Sequence, residues 1–222
     1  CGFGLAIKGP QHDEAWLIFM DQVQNLLPSF EDKAEALHYF PMWRTWFSLH
    51  GLCKLPWNDV TPEDNGDTAE PAKVEEHVEN YTWVHEGVTG IRVSANDLLL
   101  QSERVYNFQK AFSIRMGRVG REHDYPPYRA MGPVTVVEYE SRAELYDSQL
   151  VDILGLEPEN LSIEEKMAKL REYRESQYEL LLDAVYKRRG WDMNSIPTIE
   201  KLKELDMDLP EVVEVVERAR KI

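Results

Sequence analysis

Residues 94–117, SANDLLLQSERVYNFQKAFSIRMG, carry the clearest helical pattern in the chain and decide its fold class. Apolar side chains recur there at the spacing of one helix face, which predicts a helix with a buried stripe. The members of that stripe are Leu98, Leu99, Val105, Phe108, Phe112 and Ile114. Gly117 follows as the expected end of the helix.

Similar patterns on both sides of this segment extend the helical prediction. Ser29 caps a helix that Pro41 is expected to kink or break. Ser162 and Glu165 form a capping box at the start of a further long helix. The strand signal is confined to residues 132–140, GPVTVVEYE. The predicted fold class is therefore all-α or nearly so.

The composition excludes several classes of partner. The chain has 222 residues, with 25 Lys and Arg against 40 Asp and Glu, which gives a formal net charge of −15. Such a charge repels nucleic acid and anionic membrane surfaces, so neither is an expected partner. Hydrophobic residues make up 43% of the chain, which favours a folded protein over a disordered one. No run of apolar residues approaches the length that a transmembrane helix needs.

The two cysteines, Cys1 and Cys53, are too few for a disulfide framework, so the reducing cytoplasm is the expected compartment. The chain opens with CGFGLAIKGP, which has neither an initiator Met nor a signal-peptide pattern. We therefore expect it to be a fragment or a processed piece of a longer protein.

Two segments, in the same order, resemble the tungsten-containing aldehyde:ferredoxin oxidoreductase family. Residues 103–129, ERVYNFQKAFSIRMGRVGREHDYPPYR, follow a helix of the form ER..N..R.FN.REG that runs into a loop R.DD.LP.R. Residues 181–205, LLDAVYKRRGWDMNSIPTIEKLKEL, are similar to the family pattern LLDEYY..RGWD..G.PT...L..L. The matching positions of the first segment are Glu103, Arg104, Asn107, Phe112, Arg115, Gly117, Arg121, Asp124, Pro127 and Arg129.

The resemblance implies the helical C-terminal region of an enzyme with a tungsten or molybdenum bis-pterin cofactor and a nearby 4Fe–4S cluster. In the family a late loop, D-x-x-G-L-C, supplies the fourth cluster cysteine, and residues 48–53, SLHGLC, match it. Cys53 is therefore the expected metal ligand, and the remaining ligands lie outside this chain. The expected partners are the missing N-terminal part of the same enzyme and a ferredoxin or iron–sulfur electron-transfer subunit. A homo-oligomer is left open, and the isolated chain is expected to be inactive.

The same resemblance implies pterin contacts from Lys8, Ser48 and the backbone around Leu52 and Lys54. The family loop begins with Asp where this chain has Ser48. A hydroxyl is a weaker, neutral acceptor than a carboxylate, so this pterin contact is expected to be looser or mediated by water.

The histidine beside the tungsten in family aldehyde oxidoreductases, within H-x-K-G, is replaced here by Ala6 of AIKG. Alanine cannot transfer a proton, so another side chain is needed for that role. His50, within the cofactor loop, is the expected catalytic replacement, and His12 is a rival.

The resulting organisation has three parts. Residues 1–60 form a helical, cofactor-facing segment, residues 61–80 an acidic loop, and residues 81–222 a helical C-terminal region, expected as one continuous domain. The predicted function is an oxidoreductase acting on aldehydes or related carbonyl compounds with ferredoxin-type electron transfer. Two alternatives stay open: a tungsten subunit resembling class II aromatic acyl-CoA reductases, which Ala6 favours, and a catalytically silent helical fragment that only binds partners.

Overall fold

The computed structural model describes residues 2–7, 17, 21, 25, 27, 29–52 and 75–221, with residues 75–77 described through their backbone alone. The chain divides into two compact units, Cys1–Tyr125 with Asp183–Ile222, and Pro126–Leu182. The predicted boundaries at residues 60 and 80 stay predictions, because the segment between them is largely outside the described residues.

Helices are the regular elements of the described residues. In chain order they are α1 (Gly2–Leu5), α2 (Phe30–Leu49), α3 (Glu75–Thr89), α4 (Ala95–Arg115), α5 (Val136–Glu140), α6 (Ala143–Leu154), α7 (Ile163–Arg189), α8 (Ile199–Glu204) and α9 (Pro210–Ala219). Short 3-10 turns cover Arg121–Asp124, Tyr128–Met131 and Pro158–Asn160. In this part of the chain the one β-type pairing is an isolated bridge between Trp191 and Pro197.

These elements confirm the all-α prediction. The segment with the strand signal, residues 132–140, is helical over α5, where the Thr135 side chain accepts a hydrogen bond from the Glu138 N–H and starts a helical turn. The predicted acidic loop 61–80 is helical from Glu75 on, and its earlier residues lie outside the described part. In the described part of the chain, every helix is too short or too polar to span a lipid bilayer.

Side-chain caps explain where several helices begin. Ser29 and Asp32 form a reciprocal capping box at α2, and Ser94 and Asp97 form another at α4. The hydrogen bonds from Ser94 hold the pKa of Asp97 below its ordinary value. The capping box of Ser29 and Asp32 confirms the predicted cap at Ser29.

Pro41 lies inside α2 without ending it, so of the two predicted outcomes the break is wrong and the kink stays a prediction. Proline has no N–H, which leaves the carbonyl of Leu37, four residues earlier, without its helical donor. The guanidinium of Arg189 donates to that carbonyl at 3.1 Å, and the helix continues. A residue about 150 positions away in sequence therefore compensates the proline.

Helices α2, α3 and α4 pack together in the first unit around a core rich in aromatic side chains. Its buried members are Trp43, Trp46, Phe47, Val78, Tyr81 and Leu98. A second core in the same unit joins α4 to α8 and α9 through Ile114, Leu202 and Val216. The second unit has its own core of Tyr139, Tyr146, Leu150 and Leu170.

Helix α4 corrects the predicted buried stripe. Phe108 and Phe112 are 55% and 56% exposed, although Leu98 and Ile114 are buried as predicted. The buried positions near the middle of α4 include the polar residues Asn107 and Lys110, which face partners described below. Hydrophobicity alone therefore misplaced the buried face of the helix.

Candidate functional site

The loop predicted to approach the cofactor begins where α2 ends. His50 is the C-terminal cap, and Gly51 follows with φ +66°. Glycine adopts this left-handed conformation without strain, which lets the chain turn back on the helix. The N–H of Leu52 then donates to the Phe47 carbonyl at 3.0 Å and closes the turn.

Ser48, predicted in the loop, lies in the last turn of α2, whereas Leu52 follows the turn at Gly51. Ser48 is exposed, and its hydroxyl donates to the Arg44 carbonyl at 3.3 Å. Leu52 is partly buried against the aromatic core. The other predicted site residues, Lys8, Cys53 and Lys54, lie outside the described residues, as does the rival His12.

His50, the predicted catalytic histidine, is held on two sides. Its Nδ1 lies 3.0 Å from the Trp46 carbonyl and its Nε2 lies 3.1 Å from Nδ1 of His85. Its ring stacks on Trp46 with the ring centres 4.4 Å apart. Trp46 in turn stacks on Tyr81 at 4.9 Å, so the imidazole ends a short aromatic column.

His85, which is 9% exposed on α3, is not among the site residues that the sequence predicts. It lies 35 residues from His50, so no short metal- or catalysis-type spacing joins the two. A weaker signal was present, because Val78, Tyr81 and His85 recur at the spacing of one helix face, and all three are buried. Helical periodicity could have placed His85 in the core, but not beside His50.

The two segments that carry the family resemblance meet around the buried carboxylate of Asp124. Asp124 accepts a hydrogen bond from the Tyr186 hydroxyl at 2.7 Å and another from Ser195. The ammonium of Lys110 lies 3.3 Å from the same carboxylate. Asp124 thus joins α4, the end of α7 and the turn that follows α7.

Burial shifts the pKa values of two side chains that contact Asp124. It lowers the pKa of Lys110, and the neighbouring carboxylate of Asp124 opposes that effect. Burial, together with the negative charge of Asp124, raises the pKa of the Tyr186 hydroxyl. Tyr186 therefore stays a hydrogen-bond donor at neutral pH, which suits an ionised carboxylate.

Further contacts tie the cluster to the start of the chain. The Trp191 indole N–H donates to the Asn107 side chain at 2.8 Å, and Arg189 lies over the ring of Tyr106 at 4.7 Å. The Tyr106 hydroxyl donates to the Leu5 carbonyl at 2.9 Å. The residue at the position of the lost family histidine, Ala6, directly follows that anchored carbonyl.

Ala6 also lines a small cavity together with Ile7, Lys110 and Asp124. Its volume is about 10 Å³, which is room for about one water molecule. The cavity is too small for an organic substrate, and its lining residues bring the Ala6 segment next to the Asp124 cluster.

The basic residues near α4 do not form a single cationic surface. Arg104 donates to the Leu205 carbonyl and pairs with Asp206 at 2.7 Å, while Lys110 is buried against Asp124. Arg121 pairs with Asp183 at 2.6 Å. These three basic side chains therefore serve local packing.

His38, on α2, is a partly buried histidine, and its buried Nδ1 atom has no hydrogen-bond partner among the described residues. Burial, reinforced by the positive charge of Arg189, lowers its pKa from 6.5 to about 4. The ring is therefore neutral in the folded protein at neutral pH, while an unfolded chain takes up a proton on this residue below pH 6.5.

We expect His38 to make the protein less stable in acid. Between pH 6.5 and 4 the unfolded chain binds more protons, so the free energy of unfolding falls as pH falls through this window. The loss is about 2–3 kcal/mol, less than full conversion of the shift because the ring is partly exposed. Urea unfolding of the protein and of His38→Phe at pH 7 and pH 4 measures it. Equal losses in the two proteins would contradict the assignment.

Among the described residues, no three side chains of His, Cys, Asp or Glu come together as a metal-binding group. The model of the family described as "Aldehyde ferredoxin oxidoreductase, domains 2 & 3" matches residues 1–207 of the chain. No curated protein matches the chain.

Proposed function

The chain belongs to the aldehyde ferredoxin oxidoreductase family, and from this premise we propose that it forms the C-terminal part of a tungstopterin, iron–sulfur oxidoreductase. The complete enzyme would interconvert aldehydes, or related carbonyl compounds, and their acids. The observation that carries the proposal is the family match over residues 1–207, which is nearly the whole chain.

The residues proposed to hold the pterin are Lys8, Ser48 and the backbone around Leu52 and Lys54. The hydrogen bond that the Ser48 hydroxyl donates is compatible with a pterin contact. Its hydroxyl proton points to the Arg44 carbonyl, so the oxygen keeps lone pairs that can accept a pterin N–H. The side chain is exposed, as a contact to a group outside the described residues requires. The N–H of Leu52 is already used by Phe47, which leaves its carbonyl for the same purpose.

When bound, the metal–pterin group would supply the two-electron redox chemistry and the iron–sulfur cluster would carry the electrons away. This chain would contribute Cys53 as one thiolate ligand of the cluster. The remaining ligands are proposed to come from the N-terminal part of the same enzyme. Electrons would pass to a ferredoxin or an iron–sulfur subunit, in the cytoplasm.

The proton acceptor is proposed to lie at the histidine site around His50, in place of the family histidine. Oxidation of an aldehyde to its acid takes the oxygen atom of a water molecule and releases two protons together with the two electrons, so the site needs a group that accepts protons. Ala6 cannot do so, and it is 4% exposed in the segment that the Tyr106 hydroxyl anchors. His50 lies in the loop that also carries Ser48 and the proposed cluster ligand.

Ala6 favours a second candidate function. A tungsten subunit resembling class II aromatic acyl-CoA reductases would keep the same cofactors without the aldehyde-oxidase histidine. The two candidates share every proposed cofactor contact and differ in the substrate that is turned over.

Anaerobic purification of the protein that contains this chain tests the proposal. We expect tungsten or molybdenum, together with iron and acid-labile sulfide, and oxidation of aldehydes with a viologen dye or ferredoxin as electron acceptor. Turnover of an aromatic acyl-CoA thioester without aldehyde oxidation would favour the second candidate. A purified protein with no pterin, metal or cluster would contradict both and support a silent interaction module.

A further inference from the structure

The hydrogen bonds of His50 determine its tautomer. A backbone carbonyl only accepts hydrogen bonds, so the His50 nitrogen beside the Trp46 carbonyl, Nδ1, must carry a proton. In a neutral imidazole the other nitrogen, Nε2, then has a lone pair and accepts. The partner at 3.1 Å, Nδ1 of His85, must therefore be the donor.

The same reasoning fixes His85. With its proton on Nδ1, a neutral His85 has its lone pair on Nε2. No hydrogen bond from the described residues reaches that atom. Both ring nitrogens of His50 therefore make hydrogen bonds within the protein. In His85, Nε2 keeps a lone pair to which a proton can bind.

We propose that His50 and His85 form one proton-exchanging unit in which Nε2 of His85 takes up the proton and His50 orients it. This inference rests on the proposed function, because that function requires a proton acceptor. It assigns the acceptor to His85. His50 is a positioning residue in this unit.

The transfer balances without a further reactant. A proton binds the lone pair on Nε2 of His85, and the pair gains one positive charge. The proton between the rings can then move from Nδ1 of His85 to Nε2 of His50, so the charge is shared between the two imidazoles. Stacking on Trp46 at 4.4 Å gives a charged His50 ring a favourable aromatic face. Release reverses these steps, and only N–H bonds form and break.

The first test reads the tautomers directly in the 222-residue chain labelled with 15N-histidine. We expect neutral His85 to carry its proton on Nδ1. His50→Gln offers an amide oxygen as acceptor and should preserve that tautomer, whereas His50→Phe offers none and should shift His85 toward the Nε2–H form. His85 found with its proton on Nε2 in the unmodified chain would overturn the proposal.

The second test uses the complete enzyme and separates the two histidines. His85→Gln can still donate an N–H to His50 but cannot carry a proton, so kcat should fall by about 10²–10⁴-fold with KM within about threefold. His50→Gln should keep kcat within about tenfold, and His123→Gln, a histidine outside the pair, should change neither constant. A larger loss in His50→Gln than in His85→Gln would show that His50 itself carries the proton.

The two tests distinguish this inference from the function on which it rests. Absence of carbonyl turnover, with the tautomers as expected, would overturn the proposed function and leave the orientation of the pair standing. Turnover that His85→Gln leaves unchanged would overturn the pair's role and leave the proposed function standing.

Discussion

Asp124→Asn should lower the free energy of unfolding of the first unit by about 3–5 kcal/mol, the cost of breaking a buried ion pair by removing one partner. The side chains of Lys110 and Asp124 are only 6% and 9% exposed. An amide keeps the shape of Asp124 and can still accept from Tyr186 and Ser195, but it leaves the Lys110 ammonium buried without its counter-charge. Chemical denaturation followed by tryptophan fluorescence measures the loss.

Asp206→Asn is the matched control for this prediction. Asp206 pairs with Arg104 at 2.7 Å, but its side chain is 81% exposed, and exposed ion pairs contribute about 0–1 kcal/mol. Its φ of 53° is one that asparagine tolerates, so the same chemical change adds no backbone strain. Equal losses from the two substitutions would mean that the buried pair contributes no more than a surface pair.

A double substitution and the pH response identify the charge as the cause. Lys110→Met in the Asp124→Asn background removes the uncompensated ammonium and should recover a large part of the lost stability. The difference in free energy of unfolding between Asp124→Asn and the unmodified protein should also become smaller as pH rises toward 10.5. Burial lowers the pKa of Lys110, and removing Asp124 lowers it further, so in that range the unfolded chain binds more protons than the folded one.

The helix starts show how much of this fold local sequence determines. Ser29 and the Ser162–Glu165 pair lie next to the N–H groups that they satisfy, so a cap is visible within four residues of sequence. The same locality explains the confirmed all-α prediction. Residues 132–140 were ambiguous because Val and Tyr favour strands, yet Thr135 and Glu138 provide a helical cap in the same segment.

The errors in prediction came from contacts between distant segments. Pro41 removes one helical hydrogen bond, and Arg189, brought close by tertiary packing, donates to the Leu37 carbonyl that loses its partner. Their apolar side chains predict Phe108 and Phe112 in the core, but both are more than half exposed. Lys110 takes a core position instead, because its ammonium pairs there with the Asp124 carboxylate. No sequence pattern predicts this pairing.

In the candidate site, too, local features could be predicted from the sequence and long-range contacts could not. The loop around Ser48 could be recognised because its residues are contiguous and follow a family motif. The pairing of His50 with His85 could not, because it depends on how α3 packs beside the end of α2. Periodicity showed which face of α3 is buried, but the register between two helices is set by the packed side chains themselves.

Cys53→Ala should remove the iron–sulfur cluster from the complete enzyme and lower electron transfer to the acceptor by at least about 100-fold. Thiolates hold such clusters, and loss of even an indirect partner of a metal ligand costs about 10–100-fold. Cys53 lies outside the described residues, but it directly follows Leu52, whose N–H closes the turn at the end of α2. Iron and acid-labile sulfide analysis, with EPR of the reduced protein, measures the loss.

Cys1→Ala is the matched control, because Cys1 is the chain's other cysteine and lies outside the SLHGLC motif. We expect it to keep iron, sulfide and the EPR signal at the level of the unmodified enzyme. Tungsten or molybdenum should remain partly bound in Cys53→Ala, because the pterin contacts proposed for Lys8 and Ser48 do not depend on the thiolate. An unchanged cluster signal in Cys53→Ala would mean that this thiol is a packing residue, since a cluster does not keep its properties when one of its four ligands becomes a methyl group.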